Sequence, residues 1–189
     1  MDYIQKQQNL HNKANEILKD LDLISFLSKK GEVNFVGSYA LGLMSWEDID
    51  TVVNGNQNID DYLDVVNYLF KQVNVYSLSV QDFRKSIFPN RPQGIYCGVS
   101  YLVKPDIFWK IDIWFMEQDD KTALELVNKI KSKLNDKNRE TILKIKNEMK
   151  SQGWGKVVSG MDVYNAVLDK DIKDTEQFRK YLKEQGREI

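Results

Sequence analysis

Two aspartates two residues apart, Asp48 and Asp50, open a segment that reads as a β-strand, Asp48 to Val53. Side chains alternate along a strand, so both carboxylates project from one face while Ile49 turns to the other. Like charges at that spacing repel on a bare surface, and a divalent cation between them removes the repulsion. Oxygen donors suit Mg²⁺, which commonly takes one or two carboxylates together with substrate phosphates. A third carboxylate is expected on a neighbouring strand. Asp112, in Trp109-Lys-Ile-Asp-Ile-Trp-Phe115, is the strongest candidate. Ile111, Ile113 and Phe115 share one face there, and Lys110, Asp112 and Trp114 share the other. A lone Asp in an apolar strand is costly unless paired or metal-bound. Asp106, beside Pro105 in an expected turn, is the alternative.

Gly37-Ser38 ends the preceding apolar strand, Val33 to Val36. Glycine lets the backbone turn tightly and removes a side chain that would block a phosphate. The serine adds a hydroxyl donor, and the amides of the short helix expected over Tyr39 to Met44 point the same way. The combination suits the tail of a nucleoside triphosphate. Lys110, on the same face as Asp112, is the basic residue best placed to reach the nucleotide. Arg84, Arg91 and Lys104 are weaker candidates. Trp46, Trp109, Trp114 and Tyr39 could stack on a base, although packing is the commoner role for each. Trp154, between Gly153 and Gly155, reads as an anchor for the tail or the closure of a pocket. His11 falls in a polar N-terminal helix, which argues against a histidine base, and Cys97 reads as a buried small residue. With a single cysteine and a single histidine, neither a disulfide within the chain nor a Cys/His zinc site can form.

The elements that must position these groups follow from periodicity. Leu10 to Leu27 reads as one amphipathic helix stopped by Gly31. Ile59 to Phe70 is a second, with Asp60 and Asp61 in its first turn. Val73 to Val80 reads as a strand. Residues 82–94 form a loop that holds Pro89, Arg91, Pro92 and Gly94. Ile95 to Val103 and Ile107 to Met116 read as an antiparallel pair joined by Lys104-Pro105-Asp106. Beyond residue 118 the pattern turns helical: Thr122 to Leu134, Thr141 to Met149, Val163 to Leu168 and Thr175 to Glu184, with a loop or hinge at residues 151–155. The expected organisation is a catalytic unit over 1–118 and a C-terminal helical region over 119–189.

The 189 residues are 42% hydrophobic and 29% charged, which allows a packed core and argues against global disorder. The net charge of −1 is unlike that of a cationic nucleic-acid coat. Its distribution is uneven. Residues 1–118 carry 11 Lys and Arg against 15 Asp and Glu, net −4; residues 119–156 carry 10 against 6, net +4. The basic stretch is either a second phosphate-binding surface or a solvated helix face. No run of about 18 apolar residues is long enough to span a membrane. The N-terminus lacks the apolar core of a signal peptide, so the expected compartment is the cytoplasm.

The ordered set of strand, Gly37-Ser38, Asp48-Ile49-Asp50 and Ile111-Asp112-Ile113 resembles the nucleotidyltransferase superfamily that includes DNA polymerase β. The resemblance covers about residues 10–118, and the size is similar to that of minimal bacterial or antibiotic-modifying members. It implies an α+β fold, a mixed β-sheet flanked by helices, here with a C-terminal helical extension. It implies transfer of a nucleoside monophosphate from a nucleoside triphosphate, ATP first among them, to a hydroxyl-bearing acceptor. That acceptor is expected to be a small molecule. Asp48 and Asp50 would bind two Mg²⁺ ions, and Asp112 the catalytic one. Gly37, Ser38 and Lys110 would hold the nucleotide. The alternatives are a non-catalytic, antitoxin-like module with the same fold, or an enzyme that modifies RNA or protein. Nucleic acid is a less favoured partner, a membrane is not expected, and a homodimer is open.

Overall fold

The computed structural model describes residues 2–56, 58–85, 87 and 92–187. Pro89 and Arg91 lie outside the described residues. The first helix, α1 (Tyr3–Asp20), starts well before Leu10, because the Asp2 side chain accepts from the backbone N–H of Gln5 and caps it. Its polar opening turns carry no apolar period, so the sequence pattern starts late. The helix expected to run on to Leu27 breaks at Asp22, whose φ is 42°. It resumes as α2 (Leu23–Leu27). Apolar spacing continues across the break, which is why periodicity does not reveal it.

The sheet comprises β1 (Glu32–Val36), β2 (Asp48–Asn54), β3 (Val75–Asp82), β4 (Ile95–Lys104) and β5 (Ile107–Met116). The short α3 (Gly37–Leu41) follows β1, and α4 (Ile59–Phe70) follows β2. The strand order is β1-β2-β5-β4-β3, with β2 and β5 parallel and the other pairs antiparallel. The sheet is therefore mixed. Its inner face, with Ile49, Val53, Cys97, Val99, Ile111 and Ile113, packs on Ala14, Ile17 and Leu18 of α1 and on Val65 and Leu69 of α4. The strand expected from Val73 begins at Val75 and runs to Asp82.

The tail is helical: α5 (Thr122–Lys131), α6 (Asp136–Ser151), a single 3-10 turn at Trp154–Lys156, α7 (Gly160–Asp169) and α8 (Thr175–Glu184). Helix α6 starts five residues before Thr141. Asn135 and Asn138 exchange side-chain and backbone hydrogen bonds in a capping box that holds a polar first turn. These helices share a second core in which Ile142, Ile145, Val163 and Phe178 pack with Leu41 and Leu43 from the α3 segment. The Arg139 guanidinium donates to the carbonyls of Leu41 and Gly42, each at 2.8 Å.

Candidate active site

The strand register sets the site. Asp50 on β2 lies opposite Asp112 on β5, and Asp48 lies opposite Lys110. Val36, the last residue of β1, faces Asp50, and Gly98 on β4 faces Asp112. A transverse row thus runs Val36–Asp50–Asp112–Gly98 across the sheet. Asp48, Asp50 and Asp112 each bring a carboxylate oxygen within 4.8 Å of the others. Asp106, the alternative, sits in the β4–β5 turn at a φ of 65° and is not part of this group.

The carboxylates are poorly solvated. Burial pushes the Asp48 carboxyl above the usual range; Lys110 opposes that rise and Asp112 adds to it. Burial, then the charges of Asp48 and Asp112, push Asp50 up to about 7. Asp48 Oδ1 is buried without a hydrogen-bond partner, a costly arrangement for an acceptor. Three close oxygens, one of them orphaned, form a donor set that fits a hard divalent cation. The residues present therefore fit Mg²⁺.

Lys110 occupies part of this space. Its ammonium donates to Asp112 Oδ2 at 2.5 Å and lies 3.9 Å from Asp48 Oδ1. The side chain is 57% exposed, so it meets the carboxylates from the solvent side. From the other side the Tyr96 hydroxyl donates to Asp112 Oδ1 at 2.7 Å. Burial and then the bond to Asp112 push that phenol up to about 12, so it stays a donor across the neutral range. Gly98 makes the contact possible, because a Cβ there would lie 2.4 Å from the Tyr96 hydroxyl. Sequence reasoning missed Tyr96. The available signal was its place two residues before Gly98 in a strand whose other face is Cys97 and Val99.

Gly37 begins α3 with a φ of 59°, and a Cβ on it would lie 2.1 Å from Asp50 Oδ2. The turn therefore closes directly onto the carboxylates, with Ser38 buried beside it. Beneath the loop after α3 lies a second group the sequence did not single out. Lys146 of α6 is fully buried and donates to the Leu43 carbonyl at 2.7 Å and the Tyr164 hydroxyl at 3.1 Å. Its ammonium sits 4.5 Å from the centre of the Trp46 ring. Burial pushes it down to about 7, while Asp48 and Asp50 pull the other way.

The remaining candidates separate. Trp46 lines a cleft of about 850 Å³ with Lys110, Lys150 and Ser159, between the sheet and the tail helices. Trp114 lines another, of about 470 Å³, with Asp50, Val52 and Leu126. Trp109 is buried against the sheet core. Tyr39 stacks on His11 and donates to Asn15. Trp154 anchors the tail in the second core, with Arg179 over its ring. Arg84 is held bidentately by Asp82, and Lys104 is exposed at the β4–β5 turn. Cys97 is buried, and its thiol is pushed up to about 12 by burial. Half of the ten basic residues in the basic stretch make internal contacts. Lys121 pairs with Glu32, Lys133 with Asp169 and Lys150 with Glu47, while Arg139 and Lys146 hold backbone carbonyls.

No family model matches the sequence, and no curated protein is similar to it. Solved structures do match. One is a cytoplasmic RNA terminal U-transferase, with a TM-score of 0.58 and 16% identity over 88% of this chain and 53% of that one. Another is Cid1 described for its RNA terminal uridylyl transferase activity, at 0.58 and 16% over 88% and 52%. A third is Cid1 in complex with its short product ApU, at 0.54 and 15% over 88% and 53%. The chain spans about half the length of these structures. At such identities the likeness concerns the fold, and the mixed five-stranded sheet with flanking helices is the nucleotidyltransferase fold.

Proposed function

We propose that this chain is a Mg²⁺-dependent nucleotidyltransferase that moves a nucleoside monophosphate from a nucleoside triphosphate to a hydroxyl-bearing acceptor. The observation that carries this reading is the meeting of Asp48, Asp50 and Asp112 within 4.8 Å beside the Gly37 turn. In this reading Asp48 and Asp50 hold two Mg²⁺ ions, and Asp112 holds the catalytic one. Divalent cations at such a site polarise phosphoryl oxygens and stabilise the attacking and leaving oxygens of an in-line displacement. The Gly37 and Ser38 turn receives the terminal phosphates through its backbone amides and the Ser38 hydroxyl, and the missing Cβ lets Asp50 stand directly against the same turn. Lys110, which neutralises Asp112 and Asp48, contributes its charge to the incoming phosphates. Tyr96 and Lys110 each donate to one oxygen of Asp112 and together fix its rotamer toward the site. Residues 1–118 form the catalytic unit in this proposal, and residues 119–189 form the helical region that walls the larger cleft.

The acceptor proposed is a small molecule, because half of the ten basic residues of 119–156 are committed to internal partners and the chain as a whole is net −1, a balance that does not favour a polyanion. An RNA 3′ end is the second reading, favoured by the likeness to uridylyl transferases. ATP is the donor expected from sequence, and the UTP selectivity described for Cid1 puts UTP beside it.

The test is a thermal-shift screen of the four ribonucleoside triphosphates with Mg²⁺. The stabilising nucleotide is then offered with a short RNA and with a panel of small alcohols. Ligand-linked stabilisation is expected when the native state alone binds. Pyrophosphate release that requires Mg²⁺ and disappears in Asp48→Asn supports the proposal. If no triphosphate shifts the melting temperature and none is consumed with any acceptor, the chain is a binding module instead.

A further inference from the structure

The apolar residues of the tail helices, a natural source of self-association when only the sequence is read, are buried in the second core. The exposed apolar surface lies elsewhere. Helix α4 already buries one face, with Tyr62, Val65 and Leu69. It carries a second stripe at Ile59, Leu63, Val66 and Phe70, spaced four, three and four residues. Ile59 is 46% exposed, Leu63 48% and Phe70 79%. Val66 is half-buried against the core. Val73, just past the helix, and Val80 on edge strand β3 are exposed as well. Spacing of this kind is the pattern of a helix with a partner, not of a solvated face.

We propose that this stripe is the contact surface for a second copy of the chain, with the two α4 helices packed antiparallel about a two-fold axis. The argument is self-complementarity. Reversing α4 end for end places Ile59 against Phe70 and Leu63 against Val66, so each bulky residue meets an apolar one. An isologous contact requires this of a surface. Charge follows the same symmetry. Asp60 and Lys71 each come directly after a residue of the stripe, Ile59 and Phe70, and therefore lie on the same flank. Flanks of one kind face each other across an antiparallel pair, so Asp60 of each copy meets Lys71 of the other, twice over. Neither has an ion-pair partner in its own chain among the described residues. Asp64 lies beside the two-fold axis, close to its own counterpart, and its charge is already met within its own chain by Lys30 at 2.8 Å. A helix of 12 residues is about 18 Å long, a small contact, so the association is concentration-dependent rather than permanent.

Sedimentation equilibrium of the purified chain over a concentration series tests this directly. The expected apparent mass rises from 22.1 kDa toward twice that value. Leu63→Lys, a change at a half-exposed position away from the carboxylates, holds the chain at the monomer mass with its melting temperature unchanged. Asp60→Lys weakens the dimer, and adding Lys71→Asp restores it, more strongly at low salt. If Leu63→Lys does not fold, the charge swap decides alone. A wild-type chain that stays monomeric throughout overturns the proposal and leaves the stripe to a different partner. So does a dimer that survives both Leu63→Lys and Asp60→Lys.

Discussion

Replacing Gly37 by alanine probes the closest approach in the site. The backbone there has a φ of 59°, and holding an L-residue in that region costs about 1–2 kcal/mol. For a chain of this length that is about 2–8 °C in Tm. Backbone cost is not the whole effect, because the new methyl group would stand 2.1 Å from Asp50 Oδ2 and 2.9 Å from its Cγ. Asp50 is held on β2 between Val36 and Asp112. Ordinary contact is therefore regained by moving its carboxylate roughly 1 Å, and misplacement on that scale is worth about 100-fold in rate. Gly42 supplies the control. Its φ is 64°, but a Cβ there meets the end of the flexible Arg139 side chain at 2.8 Å. The two alanine variants should melt at similarly lowered temperatures. Gly37→Ala should lose about two powers of ten in Mg²⁺-dependent turnover with the nucleotide and acceptor found by screening, while Gly42→Ala stays within a few-fold of wild type. Equal losses in the two variants would refute the idea that the turn and the carboxylates form one site.

Three further outcomes follow from the same geometry. Asp50→Asn removes a buried charge set between two others. The metal-free variant should melt higher than wild type at pH 8, yet gain nothing from Mg²⁺; an unchanged Mg²⁺ response would exclude Asp50 as a ligand. Tyr96→Phe removes a hydrogen bond to a carboxylate, worth about 1.5–3 kcal/mol. Turnover should fall by about one to two powers of ten, with calorimetric Mg²⁺ affinity altered less, and an unaffected rate would deny Tyr96 its positioning role. Lys146 is pushed down to about 7 by burial, so between pH 7 and its unfolded value the unfolded chain binds the extra proton and stability rises with pH. Urea denaturation from pH 7 to 10 should show wild type gaining on Lys146→Met; parallel curves would show that the ammonium stays charged in the fold.

The site was legible in sequence to the extent that strand alternation is local. Asp48 and Asp50 share a face through spacing alone, and Asp112 stands out among Ile111, Ile113 and Trp114. What spacing cannot supply is the register that sets Asp50 opposite Asp112, because β2 and β5 are joined only after α4, β3 and β4. Lys146 was hidden in a lysine-rich stretch that reads either as a phosphate-binding surface or as a solvated helix face, not as core. The signal existed, since it falls four residues after Ile142 and three before Met149, on the buried stripe of α6. Helix starts at Tyr3 and Asp136 escaped periodicity because capping side chains hold those largely polar first turns, with Tyr3 resting on the distant second core and not on the helix's own apolar stripe.

Leu41 and Leu43 belong to the tail's core although they follow the Gly37 turn by only a few residues. The segment that closes on the carboxylates is thus walled by the sheet on one side and by α6 on the other. A fragment cut after residue 118 would leave these two leucines facing water and the Arg139 and Lys146 clamps on their carbonyls missing. The turn would lose its backing even with every carboxylate present, so the tail is a structural parent of the site as much as the strands that carry its aspartates.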